Sequence, residues 1–161
     1  MEFSCEDATR TSLPHLQEII EAVIKEGATT INLPDTVGYT TPTEFGNLIH
    51  NVRERTRGID KIILSTHCHN DLGMAVANSL SGISHGARQV ECTINGIGER
   101  SGNCSLEEMA AILHTRKDLF PFDNNINLKE IHKTSDLVSR LCNVPIPVSY
   151  THLTLPTKRI V

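Results

Sequence analysis

The chain alternates between stretches with the periodicity of a helix and short apolar runs with that of a strand. The segment "SLPHLQEIIEAVIKEGA" predicts a helix, because its apolar residues recur every three or four positions. We expect Ser12 to cap this helix and Gly27 to end it. In "TPTEFGNLIHNVRER", Thr41 and Glu44 have the spacing of a capping box, which places the start of a second helix.

Four apolar runs begin near residues 3, 29, 61 and 88, and each is followed by a helical pattern. The last run, "RQVECTIN", alternates, with Val90, Cys92 and Ile94 on one side. A helix then follows in "SLEEMAAILHTRKD", where Ser105 and Glu108 again have capping-box spacing. Strand and helix therefore recur at intervals of roughly 25 to 32 residues, which predicts a parallel sheet of βαβ units.

Parallel sheets of this kind form either open doubly wound sheets or (β/α)8 barrels. Four units without a G-x-G-x-x-G opening fit half of a barrel, since a whole one takes about 250 residues. We predict an α/β fold: the C-terminal half of a (β/α)8 TIM barrel over residues 1–120, then the start of a helical linker subdomain over 121–147. The segment 148–161, "VSYTHLTLPTKRIV", continues neither pattern and is expected to be an atypical, non-native tail.

Composition and charge favour a small-molecule partner. Acidic residues outnumber basic ones, 19 to 15, and the basic residues are scattered, which argues against nucleic acid or an anionic membrane as partner. No apolar run approaches the roughly 20 residues that cross a bilayer, and "MEFSCEDATR" has neither a basic leader nor an apolar signal core. Five cysteines without C-x-x-C spacing argue against a disulfide framework. We expect a cytoplasmic protein with reduced thiols.

The stretch "LSTHCHNDLG" carries the clearest candidate chemistry. Side chains alternate along a strand, so His67 and His69 point to one side and Cys68 to the other. Barrel strands end at the active face, where His-x-His can supply two nitrogen ligands to a divalent metal ion. The alternative is a pair of hydrogen-bonding histidines at a strand end. The remaining histidines lie in helical patterns and are assigned to surface or packing: His15, His50, His85, His114 and His132.

Polar residues also follow the other three strands. They are Ser4, Glu6 and Asp7 in "FSCED", Asp35 and Thr36 in "NLPDTVGYTTP", and Glu99, Arg100 and Asn103 in "INGIGERSGN". Taken singly, each has an ordinary alternative in a turn or at a helix N-terminus. Their recurrence at successive strand ends favours one shared site. The glycine-containing loop can hold a phosphate or bring an amide oxygen to a metal ion, and the residues alone leave that choice open.

The chain resembles the 2-isopropylmalate synthase family in four stretches: "FSCEDATRT", "INLPDTVGYTTPTEF", "HCHNDLGMAVANSLSGISHGARQVECTINGIGERSGN" and "SLEEM". The resemblance covers most of residues 1–146. It implies a Claisen condensation of acetyl-CoA with 3-methyl-2-oxobutanoate that gives 2-isopropylmalate and CoA in leucine biosynthesis. It also implies a divalent metal ion (Mn, Zn or Mg) and a homodimer of the full-length protein.

The resemblance further implies roles for residues at the strand ends. These are metal ligation by His67, His69 and Asn103, oxoacid binding by Ser4 and Thr36, and a catalytic role for Glu6. The metal ion would polarise the carbonyl of the oxoacid as a Lewis acid while the enolate of acetyl-CoA attacks it.

Two parts of that family's machinery have no counterpart in the chain: the Arg-Asp pair of the first barrel strand and the histidine of the "HESGIH"-like linker motif. The isolated chain is therefore expected to be inactive. Homocitrate and citramalate synthases share the metal motif and stay as alternatives. The lyase that cleaves hydroxymethylglutaryl-CoA would carry a loop with Gly and Cys in place of "GIGERSGN". The alternative of another class is a non-catalytic half-barrel that associates through its open sheet edges.

Overall fold

The computed structural model describes residues 1–146, and a four-stranded parallel sheet forms the centre of its first unit, residues 1–92 with 98–104. The strands pair in chain order, and all three pairings are parallel. They are β1 (Glu2–Ser4), β2 (Thr30–Asp35), β3 (Ile63–Cys68) and β4 (Gln89–Glu91). The predicted α/β fold with strands at these four places is confirmed.

Three helices connect the strands: α1 (Leu13–Lys25), α2 (Pro42–Arg55) and α3 (Ala75–Ser84). The predicted capping box starts α2, since Glu44 Oε2 accepts from the backbone N–H of Thr41 at 2.8 Å and Thr41 Oγ1 accepts from that of Glu44 at 3.5 Å. Ser12 precedes α1, but its side chain makes no capping hydrogen bond. Pro14, in the first turn of α1, fixes a helical φ there instead.

One face of the sheet packs against the helices. Ile31 and Leu33 on β2 are completely buried, as is Phe45 on α2. Gly82 on α3 lies so close to β3 that a Cβ there would meet Thr66 Cγ2 at 2.6 Å. A larger residue at this position would push the helix off the strand.

The opposite face is polar. Asn32 is in register with Ser4 on one side and Ser65 on the other, and its Nδ2 donates to Ser4 Oγ at 3.0 Å. Gln89 Nε2 donates to the Glu2 carboxylate at 3.0 and 3.2 Å, although β1 and β4 are the outer strands of the sheet. The sheet is therefore rolled toward this face, as the wall of a barrel is.

Among the described residues, the second unit covers 93–97 and 105–146 and contains α4 (Leu106–Thr115) and α5 (Ile131–Cys142). The prediction that strand alternation continues to Ile94 is wrong, because β4 ends at Glu91 and Ile94 begins a 3-10 turn. Within that turn Asn95 has a φ of +59°. The buried Glu107 carboxylate holds it there by accepting from the Asn95 N–H with both oxygens at 3.0 Å.

The start of α4 is the one predicted from the sequence, with half of the capping box formed. Ser105 Oγ accepts from the Glu108 N–H at 3.3 Å, and its hydroxyl donates to Glu107 Oε2 at 3.0 Å. The domain boundaries at residues 120 and 147 stay predictions, and the tail 148–161 lies outside the described residues. Among residues 1–146, no helix has the length and apolar character needed to cross a membrane.

Candidate metal and substrate site

The two histidines of "HCH" lie side by side at the carboxyl end of β3, as predicted. The centroids of the His67 and His69 rings are 5.1 Å apart and their planes are inclined by 25°. Cys68 between them is fully buried on the opposite face of the sheet. Burial raises the pKa of the Cys68 thiol far above its usual value, which keeps it protonated at neutral pH.

Glu91 reaches His67 from the neighbouring strand. The two residues are in register on β4 and β3, and Glu91 Oε2 lies 2.6 Å from His67 Nδ1. Carboxylates that hold a histidine in this way fix its ring and raise its basicity as a metal ligand. Sequence reasoning missed Glu91. Strand alternation puts it on the face opposite Val90, but only the register of β4 on β3 shows that this face carries His67.

Arg100, on the loop after β4, reaches His69 and two other loops. Its Nη2 lies 3.1 Å from His69 Nδ1 and donates to the Thr36 carbonyl at 2.9 Å. Its Nε and Nη2 donate to the two Asp71 carboxylate oxygens at 2.7 and 2.9 Å. One side chain thus ties together the loops that follow β2, β3 and β4. Sequence reasoning placed Arg100 in a polar loop without assigning it to the histidines.

The loop after β2 lies directly against the loop after β3. Gly38 has a φ of +61°, and a Cβ there would collide with the Asp71 carboxylate and meet the Asp71 nitrogen at 2.8 Å. The hydrogen bonds from Arg100 hold the pKa of Asp71 below its usual range. The ion pair of Arg100 and Asp71 is therefore intact at neutral pH.

Asn103 lies beside the histidines. Its backbone forms an isolated antiparallel bridge with that of His69. Beside this bridge, the Asn70 N–H donates to the Gly102 carbonyl at 2.9 Å. A Cβ on Gly98 would collide with the side-chain amide of Asn103. The structure therefore brings all three predicted metal ligands to the same edge of the sheet.

The predicted substrate-binding residues lie at the ends of β1 and β2. Ser4 is exposed, and its Oγ accepts from Asn32 Nδ2 at 3.0 Å. Thr36 Oγ1 accepts from the Asp7 N–H at 3.0 Å. Glu6 is exposed on the same loop as Asp7. The oxoacid-binding and catalytic roles of these residues stay predictions.

Asp35 does not belong to the site. It is fully buried and accepts from the Thr40 hydroxyl at 2.6 Å, from the Thr40 N–H at 3.2 Å and from Asn78 Nδ2 at 3.3 Å. These contacts build the turn that follows β2, so for Asp35 the ordinary turn interpretation is the correct one. Asp7 is likewise engaged locally, in an ion pair with Arg10 at 2.8 Å.

The donor set suits a divalent cation in part. Two imidazoles and one amide are ligands that zinc and manganese accept. Partial burial lowers the pKa of His69, and His67 and Arg100 lower it further, so the ring is neutral at neutral pH, the form that binds metal. No three His, Cys, Asp or Glu side chains of residues 1–146 converge as a metal-ligand group. Further ligands would have to be oxygens from substrate or from outside these residues.

Curated relatives support the resemblance found in the sequence. The chain is 62% identical over 146 residues to the 2-isopropylmalate synthase of Shewanella oneidensis and 60% identical over 146 residues to that of Shewanella loihica. Each match covers 91% of this chain and 28% of the relative. The chain thus spans 28% of the length of these relatives, and the resemblance to 2-isopropylmalate synthases is confirmed.

Solved structures share the fold at low sequence identity. A hydroxymethylglutaryl-CoA lyase from Acinetobacter baumannii, in complex with coenzyme A and 3-methylmalate, matches with a TM-score of 0.75 and 21% identity over 98% of this chain and 51% of that one. The lyase from Bacillus subtilis matches with a TM-score of 0.74 and 18% identity over 91% and 50%. The predicted partial barrel is confirmed. The HMGL-like family model matches residues 1–138, and the chain belongs to that family.

Proposed function

We propose that the chain is part of a 2-isopropylmalate synthase. Such an enzyme joins acetyl-CoA to 3-methyl-2-oxobutanoate in a metal-dependent Claisen condensation. Water then hydrolyses the thioester of the product, which releases 2-isopropylmalate and CoA for leucine biosynthesis. The observation that supports the proposal is the stacked pair of His67 and His69 at the carboxyl edge of a rolled parallel sheet, with Asn103 bridged to His69 through the backbone. The relatives' names and their 60–62% identity point to the same reaction.

His67 and His69 would hold the divalent ion, with Asn103 beside them. When bound, Zn, Mn or Mg polarises the keto group of the oxoacid as a Lewis acid. Glu91 keeps the His67 ring in place by its contact with Nδ1. The sequence and the donor set do not favour one of the three metals.

Ser4 and Thr36 are suited to bind the carboxylate of the oxoacid. Each hydroxyl oxygen already accepts a hydrogen bond, Ser4 from Asn32 and Thr36 from the Asp7 backbone. A hydroxyl that accepts in this way still has its own proton to donate. Both protons are thus available to carboxylate oxygens of a ligand at the strand ends, and Glu6 would lie beside that ligand as the catalytic carboxylate.

The proposal includes a homodimer of the whole protein and a cytoplasmic location. Both rest on the resemblance to 2-isopropylmalate synthases. The 161-residue chain by itself is proposed to be inactive, because the ligand set within residues 1–146 is partial.

A thiol-release assay on the whole protein that contains this segment tests the proposed reaction. Acetyl-CoA is supplied with 3-methyl-2-oxobutanoate, 2-oxoglutarate or pyruvate in turn, and free CoA is measured. We expect the highest kcat/KM with 3-methyl-2-oxobutanoate, and a large loss of kcat in His67→Ala. His132→Ala is the matched control, because His132 is exposed on α5. A preference for 2-oxoglutarate or pyruvate would instead favour a homocitrate or citramalate synthase.

A further inference from the structure

We infer that the two histidines of "HCH" are held in opposite tautomers, His67 with its proton on Nδ1 and His69 with its proton on Nε2. Identical residues two positions apart give no hint of this difference in the sequence. The inference concerns only the rings and the side chains around them, so it does not depend on the proposed condensation.

Glu91 sets the tautomer of His67. Its Oε2 lies 2.6 Å from His67 Nδ1, and a carboxylate oxygen can only accept a hydrogen bond there. Glu91 therefore accepts from His67 Nδ1, and this nitrogen carries the proton. The lone pair of His67 is then on Nε2.

Arg100 sets the tautomer of His69. A guanidinium group has five N–H donors and no acceptor, and it stays protonated at every ordinary pH. Because Arg100 Nη2 lies 3.1 Å from His69 Nδ1, that nitrogen must present its lone pair and the proton must be on Nε2. Two hydrogen bonds to the Asp71 carboxylate and one to the Thr36 carbonyl hold the guanidinium in this position.

The two rings consequently offer different chemistry at Nε2. His67 offers a lone pair that can bind a cation directly. His69 offers an N–H that can donate to an oxygen of a ligand. Before His69 can bind a cation through Nε2, its proton has to move to Nδ1 and the contact with Arg100 has to open. Glu91 and Arg100 are therefore positioning residues with opposite effects on the pair.

Long-range ¹H–¹⁵N correlation spectra of the histidine-labelled 161-residue chain test the inference. The chain is treated with a chelator and studied well above the usual histidine pKa of about 6.5. Signals are assigned with His67→Gln and His69→Gln. We expect the Nδ1–H pattern for His67 and the Nε2–H pattern for His69. The same tautomer in both rings would overturn the inference.

Three further variants separate the two positioning residues. Arg100→Ala should release His69 and leave His67 unchanged, whereas Glu91→Ala should do the reverse. Arg100→Lys, which keeps a cationic donor, should retain the His69 tautomer. Arg116→Ala is the control, because Arg116 makes a similar two-pronged pair with Asp118 at 2.9 Å within the second unit. Equal His69 signals in wild type, Arg100→Ala and Arg100→Lys would also overturn the inference.

Discussion

The orientation of single side chains decides the chemistry at the carboxyl edge of the sheet. His67 and His69 come from one strand, yet a carboxylate holds the first and a guanidinium holds the second. Ser4 and Thr36 come from different strands, yet both hydroxyls accept from a neighbour and keep a proton to donate. The hydrogen-bond partner of each side chain, and not its residue type alone, therefore determines what the side chain can offer to a ligand.

Replacement of Arg100 by alanine should strengthen binding of a divalent cation by the histidine pair. The change removes a positive charge that lies 3.1 Å from His69 Nδ1 and frees the Asp71 carboxylate. Both effects favour a cation, and solvent screening limits them to roughly a threefold to tenfold lower Kd. Isothermal titration of Zn²⁺ measures this, with Arg116→Ala as control. An unchanged or weaker affinity would show that Arg100 does not oppose the cation.

Cys142 should be the fastest thiol to react with an alkylating reagent at neutral pH. It is exposed, whereas Cys5, Cys68 and Cys104 are buried. Burial raises the pKa of Cys5 to about 11, so almost none of it is thiolate at neutral pH. Iodoacetamide labelling followed by peptide mass spectrometry tests the order. Labelling of Cys5 as fast as Cys142 would contradict the described burial.

At the residue scale, the sequence predicts what depends on local geometry. The shared direction of His67 and His69 follows from strand alternation over three residues, and the structure shows it. Glu91 could not be found in this way, because its contact depends on how β4 is registered against β3, which are 24 residues apart along the chain at this contact. The contact of Arg100 with His69 spans 31 residues and depends on the paths of two loops.

Among the elements, α2 has the strongest local start signal. Its capping box joins Thr41 and Glu44 in both directions. Thr41→Ala should lower the free energy of unfolding by about 1 kcal/mol, because one N–H of the first turn loses its acceptor. Urea unfolding measures the change. Thr43→Ala, an exposed position inside the first turn, is the control and should be close to neutral. Equal losses in both variants would mean that the cap is not what stabilises α2.

The contribution of Glu44 to stability should depend on pH. Hydrogen bonds from Thr41 lower the pKa of Glu44 below the ordinary 4.5, and the bond from the Thr41 backbone has a larger effect than the bond from its side chain. A carboxyl group whose pKa is lowered in the folded state stabilises the protein at pH values above its ordinary pKa. This stabilisation is lost as the pH falls through the pKa of the folded state. The stability difference between wild type and Glu44→Gln should therefore shrink below pH 4.5. A difference that grows on acidification would contradict the cap.

Element positions could be predicted where the signals are local. The starts of α2 and α4 follow from Thr41 and Ser105, and the structure has both. The end of β4 could not be predicted, because Asn95 leaves the strand pattern through a bond to Glu107, twelve residues further on. Ser12 has the right residue type for a cap, but its hydroxyl makes no such bond, so residue type alone overstated its role.

At the scale of the whole molecule, the sheet has two outer strands. Within residues 1–146, β1 and β4 each pair on one side only. Open strand edges favour association with another strand.

The 161-residue chain alone should therefore form assemblies larger than a monomer. Size-exclusion chromatography with light scattering measures the molar mass across a concentration series. We expect species above the 17.8 kDa of one chain, increasing with concentration. A compact monomer at all concentrations would contradict the prediction that the half-barrel needs a partner surface.

Isothermal titration of Zn²⁺ and of Mn²⁺ into the 161-residue chain tests most directly whether His67 and His69 form a divalent-metal site. We predict saturable binding that is lost in the double variant His67→Ala, His69→Ala and retained in His132→Ala, since His132 is exposed on α5. Equal titration curves for the wild type and the double variant would contradict a metal site at these two rings.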